Sequence, residues 1–317
     1  MRWSAGLAAS LVVMSMLVSA LAAEPKGFAS AGEIASWMST YREKPEPKRL
    51  AAAVHALSDL GQLSDQEAAG IYVGFMAGVL GANQLRAPKL VAAMFPLRTD
   101  EQVAVIKAIA YSGLPNWRQL LVAFSDKLGD RQVLVDRYMT GKFQTLAELP
   151  VESGRTLDTL WGYYMATGSY EPIQRIIGAL PLAGETDDLE RLVVGGMVKW
   201  TLASNGERDQ SLLKLYYVEK EHQPEAVAAQ LGEIIEAIEV AETGQIRKTA
   251  AAAIDELKTK GPASKRTIAW AGQVGQTALA LGCVAASVMG QVQLGVPCVV
   301  GGAVSSAALK LYDAAGQ

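Results

Sequence analysis

The chain carries few side chains able to do chemistry. Its 317 residues include two histidines and two cysteines. His55 and Asp59 are four apart, so on a helix they share a face and could supply half of a metal site. Leu50, Val54 and Leu57 mark the buried side of that helix, which makes the pair a solvated edge. His222 precedes Pro224 amid Glu219, Glu221 and Glu225, as a turn residue with acidic neighbours would. Asp187, Asp188 and Glu190 could be taken for a hydrolytic acid pair. They follow Thr186 at a helix start, where capping and the helix dipole account for acids. Met139-Thr140-Gly141-Lys142 ends like a phosphate-binding loop, but the earlier glycine is missing and Phe143 stands where Ser or Thr is needed. No G-x-S-x-G, H-E-x-x-H or G-x-G-x-x-G motif occurs. No metal and no cofactor is therefore expected.

Two sets of residues remain as binding or catalytic candidates. Tyr163-Tyr164 and Tyr216-Tyr217 fall at matching places in successive helical hairpins. Most of these rings belong in a core, but one exposed ring of each pair would line a groove for peptide or glycan. Glu171, beside Tyr170, is the one acid to test first for a helical glycan-cleaving enzyme, in which a solenoid carries one acid in a groove.

The elements that must position these residues are helices. Alternating apolar and polar runs are scarce, and no Asn-Gly or Asp-Gly turn joins two of them. Ser30 to Glu33, Ser64 to Glu67 and Thr99 to Gln102 read as capping boxes ahead of apolar periodic segments. Gly61, Gly113, Gly129, Gly168 and Gly184 follow such segments, as C-terminal caps do. Pro47, Pro88, Pro115, Pro172 and Pro224 sit near the next starts. The pattern predicts an all-α chain of antiparallel helical hairpins, an irregular solenoid or bundle.

A faint repeat runs through them. Residues 74–97 and 161–182 each pair an aromatic-rich helix with a small-residue turn, a proline and a closing Phe/Leu-Pro-Leu. Residues 108–124 and 189–218 echo the same turn, the last at Asn205-Gly206, roughly 37 residues after Thr167-Gly168. Over residues 30–220 this resembles tetratricopeptide and Sel1-like α-solenoids. The resemblance implies a concave surface that binds protein or peptide. The Trp, Leu-Gly, Tyr and Ala pattern of the tetratricopeptide is not reproduced, so no binding position carries over.

Compartment and organisation follow from the ends. Arg2 precedes an uncharged run from Trp3 to Ala23 that closes in Ala20-Leu21-Ala22-Ala23, so residues 1–23 read as a cleavable signal peptide. A periplasmic or secreted protein is expected. Residues 24–220 form the hairpin domain, and 221–262 a long helix or helices and a linker. Residues 263–317 form a Gly/Ala-rich hairpin without charge from Thr267 to Leu309. Ala271, Gly275, Ala278, Gly282 and Ala285 make a small-residue stripe there, suited to close helix packing. Membrane contact through residues 267–309 is one reading, and packing on protein is the other. The flanking Lys258, Lys260, Lys265 and Arg266 would lie outside the inner membrane, against the positive-inside rule. Cys283 and Cys298 lie equidistant from Gly290-Gln291, so an exported hairpin turning there would join them in a disulfide worth about 3 kcal/mol.

With 29 basic and 32 acidic residues there is no excess of positive charge for a nucleic acid. These features predict an exported, non-enzymatic scaffold or adaptor for an envelope protein or peptide. A helical glycan-cleaving enzyme and a membrane-associated or pore-forming protein are the alternatives.

Overall fold

The computed structural model describes residues 27–65, 69–141, 143–185 and 187–239. Among the described residues the chain is all-α, with twelve α-helices, three 3-10 helices and no strand. The signal peptide, the linker, the C-terminal hairpin and the Cys283–Cys298 disulfide lie outside them. Among them, no helix is long and apolar enough to cross a membrane.

The helices begin and end largely for the reasons the sequence supplies. Ser30 caps α1 (Ala31–Thr40) by accepting from the Glu33 amide at 3.2 Å, and the Glu33 carboxylate accepts from the Ala29 amide at 2.8 Å. After α2 (Leu50–Asp59), Gly61 takes a positive φ of 69°. Gly113 and Gly168 do the same after α5 (Gln102–Tyr111) and α8 (Gly154–Thr167). A β-carbon is unfavourable in this left-handed turn, so glycine ends the helix there. Gly129 and Gly184 instead fall within 3-10 helices.

The Ser64 hydroxyl donates to the Gly61 carbonyl, and the Ala69 amide, just before α3 (Gly70–Ala82), donates to the Asp65 carbonyl. Glu67, the other half of the expected capping box, lies outside the described residues. The N-cap position of α5 is Glu101, two residues later than the expected Thr99. Glu101, fully buried, reaches back to the Arg98 amide and takes the Ser58 hydroxyl at 2.7 Å. Its carboxylate thus ties α2 to the start of α5. The expected turn at Asn205-Gly206 is absent, because α10 (Leu189–Arg208) runs through it. Gly206 serves close packing instead. A β-carbon there would come within 2.7 Å of Ile238 on α12 (Glu225–Glu239) and Tyr216 on α11 (Gln210–His222).

The centre of the molecule is α3. Every residue from Gly70 to Leu80 is buried, so this helix is apolar all round. Its most extensive partner is α8, far along the chain, and it also packs on α5. Glycines make the α3–α8 approach possible. A β-carbon at Gly74 would overlap the Thr159 carbonyl, and one at Gly162 would overlap the Ile71 carbonyl. At Gly70 it would lie 2.7 Å from the Arg155 carbonyl. Meanwhile α4 (Ala87–Met94) packs chiefly on α2 rather than on α3. In a simple solenoid each hairpin contacts only its neighbours. Here the first helices of the two clearest repeat units, residues 74–97 and 161–182, pack on each other instead.

Residues 225–239 share this core. Leu231, Ile234 and Ile235 are buried, and Lys199 on α10 pairs with Glu233 at 3.1 Å. Gln174 on α9 (Glu171–Gly178) donates to Glu219 on α11 at 2.7 Å.

Candidate functional site

The residues singled out from the sequence do not converge. Tyr164 and Tyr216 are buried, at 2 % and 0 % exposure, and their hydroxyls donate to Asp209 and to the Leu202 carbonyl. Neither can line a groove. Tyr217 is 44 % exposed and donates to Glu239, while Tyr163 is half-buried beside the Gly113 turn. Glu171 opens α9 with its carboxylate 54 % exposed, 3.8 Å from the Arg175 guanidinium. That is a helix-start acid in an i,i+4 pair, without the burial that tunes a proton donor.

The other titratable groups have structural work. A His55 ring nitrogen lies 3.0 Å from the Ala93 carbonyl, and one of His222 lies 2.7 Å from the Val218 carbonyl. Asp188 caps α10, accepting from the Glu190 and Arg191 amides at 3.0 and 3.1 Å. Among the described residues no His/Cys/Asp/Glu group could hold a metal ion.

A site that the sequence did not announce lies between α5 and α7 (Gln132–Thr140). It is a cleft of about 500 Å³, within the range of small-ligand pockets. Lys107, Arg131 and Arg137 line it, and among the described side chains no acid does. Two acids close by in the chain have other partners. Asp136 accepts from Gln132 at 2.8 Å, and Glu148 accepts from the Thr145 amide at 2.8 Å. Arg131 spends one N–H on the Thr99 carbonyl at 2.8 Å. Lys107 forms no ion pair or hydrogen bond among the described residues. Burial holds its ammonium below the usual lysine range.

Aromatic rings build the far wall. Phe143 packs on Trp117, Tyr138 and Tyr111 with centroids 4.8, 4.9 and 5.8 Å apart. Burial raises the Tyr111 and Tyr138 phenols above the usual phenol range, so both stay protonated at neutral pH. The segment after Phe143 is fixed from behind. Arg175 donates to the Leu146 carbonyl at 2.6 Å and also to that of Leu149. This arrangement can bind an anion, with planar or apolar atoms against the rings.

Two contrasts set the cleft apart. The second cleft, about 330 Å³ beside α1, mixes Glu33 and Glu46 with Lys44 and Arg49. Arg49 is already used, 3.3 Å from Glu46 and over the Phe28 ring. Lys199 is more deeply buried than Lys107, but its charge is answered by Glu233.

Asp209, partly buried, and Asp158, buried, lie outside the clefts. Asp209 caps α11 and joins it to α8 and to the turn after α1. Its carboxylate takes the Tyr164 hydroxyl at 2.7 Å, the Arg42 guanidinium at 2.5 Å and the Ser211 amide at 2.9 Å. Burial pushes its pKa up, but the Ser211 and Tyr164 hydrogen bonds and the Arg42 charge outweigh it, and the net shift is down. Asp158, on α8 facing the start of α3, has only burial acting on it and is held well above the usual carboxylate range.

Among the described residues the fold is all-α, with a basic, aromatic-walled cleft. No protein-family model matches the chain, and neither does any curated protein or solved structure.

One sequence signal for the cleft was available. Lys107 is the lone charge in the apolar helix QVAVIKAIAY. Phe143, seen only as the residue that spoils a phosphate loop, is the ring around which the aromatic wall is built.

Proposed function

We propose that the protein is an exported, non-enzymatic adaptor that docks an acidic segment of a cell-envelope partner in the cleft between α5 and α7. The observation that carries this reading is the pair of guanidinium groups, Arg131 and Arg137, beside the Lys107 amine, with no acid among the described side chains of the lining. A carboxylate entering there meets guanidinium donors suited to paired hydrogen bonds. Partial exclusion of water strengthens the attraction relative to the open surface. Export rests on the sequence of residues 1–23. Nothing at Glu171 favours glycan cleavage, and the membrane reading rests on residues 267–309 alone.

Fluorescence anisotropy with a labelled peptide ending in three glutamates tests the proposal. Binding should weaken at least severalfold between low and physiological salt, because charge pairs at a cleft mouth are screened. Arg131→Gln combined with Arg137→Gln should weaken it by about tenfold or more. Equal binding by wild type and the double variant would overturn the reading.

A further inference from the structure

Lys107 is the feature of the cleft that simple anion binding does not require. Two arginines already provide charge and fork-shaped donors. Lys107 adds an amine that is half-buried in the middle of α5 and answered by no acid among the described residues. Its neighbours in the lining are two further cations and aromatic rings. Desolvation is a condition that favours the neutral, nucleophilic form of a lysine amine. Lys199 provides the internal comparison, since it is buried but paired with the Glu233 carboxylate.

The geometry points to Lys107 as a site of reversible covalent capture, at which the cleft takes up a small aldehyde or 2-oxo acid bearing a carboxylate or phosphate. Arg131 and Arg137 hold the anionic group, and the Phe143 wall takes any planar part. The neutral amine nitrogen attacks the carbonyl carbon, forming a C–N bond while the carbonyl oxygen takes up a proton. That oxygen then leaves as water with the two hydrogens originally on nitrogen, giving an imine. No oxidant or reductant enters the step. The Tyr111 and Tyr138 phenols, protonated at neutral pH, are hydroxyls in the lining that can donate to the departing oxygen. Capture fills the cleft and places the captured anionic group on Arg131 and Arg137. It therefore competes with docking of an acidic segment, and in this it rests on the function proposed above.

Pyridoxal 5′-phosphate is a suitable probe, because it joins an aldehyde, a phosphate and a planar ring. The full-length protein is incubated with limiting probe, reduced with borohydride and mapped by peptide mass spectrometry. Lys107 should be labelled about tenfold faster than exposed Lys89 and Lys127. Inorganic phosphate should slow labelling at Lys107 and leave the other lysines unchanged. Arg131→Gln and Arg137→Gln should each reduce it. Lys107→Met, checked for retained helicity by circular dichroism, should abolish the fast-labelled peptide. Even labelling of all exposed lysines, or no protection by phosphate in the wild type, would overturn the proposal. If the glutamate peptide still binds while Lys107 is not labelled preferentially, capture fails and docking stands. If neither occurs, both fail.

Discussion

Two carboxyls show how differently one residue type can be used in a single core. Asp209 has three polar partners in the structure, whereas burial alone acts on Asp158. Their pH dependences should therefore run in opposite directions. Asp209 is held below its unfolded value, near 3.9, so its contribution is present above that pH and is lost as pH falls through the lowered value. Asp158 is held above its unfolded value. It favours folding most below about pH 4 and opposes it increasingly as pH rises towards the raised value. Asparagine is a good N-cap, so Asp209→Asn keeps the start of α11 and removes mainly the charge. The substitution should cost about 1.5–3 kcal/mol at pH 7, the range for hydrogen bonds to charged groups, and progressively less as pH falls from about 4 through the lowered value. Asp158→Asn should stabilise at pH 7, with the gain shrinking towards pH 4. Urea melts from pH 7 down through pH 4 check both, and a loss of stability in Asp158→Asn at pH 7 would show that its charge is compensated. Neither role was visible in the sequence. Asp209 follows a segment that read as a turn at Asn205-Gly206, and Asp158 meets α3 across a long stretch of chain.

Among helices, the glycines of α3 and α8 matter most. In the sequence they looked like the small residues of a turn or repeat, and the aromatic-rich character of both helices was plain. Their mutual packing was not, because periodicity reveals which face is apolar but not which distant face covers it. On α3 even the face is undefined, since all of it is apolar. Gly162→Ala should be severe because a β-carbon there meets backbone, the Ile71 carbonyl and, at 2.7 Å, the Phe75 amide nitrogen. Neither atom can rotate away as a side chain would. A loss of at least about 1–3 kcal/mol is expected, with α3 and α8 forced apart. Gly178→Ala is the control, since nothing lies within 4 Å of a β-carbon there. Chemical denaturation of both variants makes the comparison, and equal stability would refute close α3–α8 packing.

For the molecule as a whole, the sequence revealed the helical class, most stops and the hairpin rhythm, because those are local properties. The order of packing and the cleft were not legible. Lys107, Arg131 and Phe143 come from a helix, a 3-10 turn and a loop, and each reads singly as ordinary. The α3–α8 pairing also bears on how the chain assembles. These two helices are separated by roughly seventy residues, and the whole of α4 to α7, including the cleft, lies on that intervening stretch. The central contact thus requires a long loop to close first, which is entropically costly and slows folding compared with a chain of neighbour contacts. A chain emerging in order would hold α3, apolar on every side, without its main partner until α8 arrives. During that interval its apolar surface stands open to other chains, and the contact at Gly74 and Gly162 is what closes it.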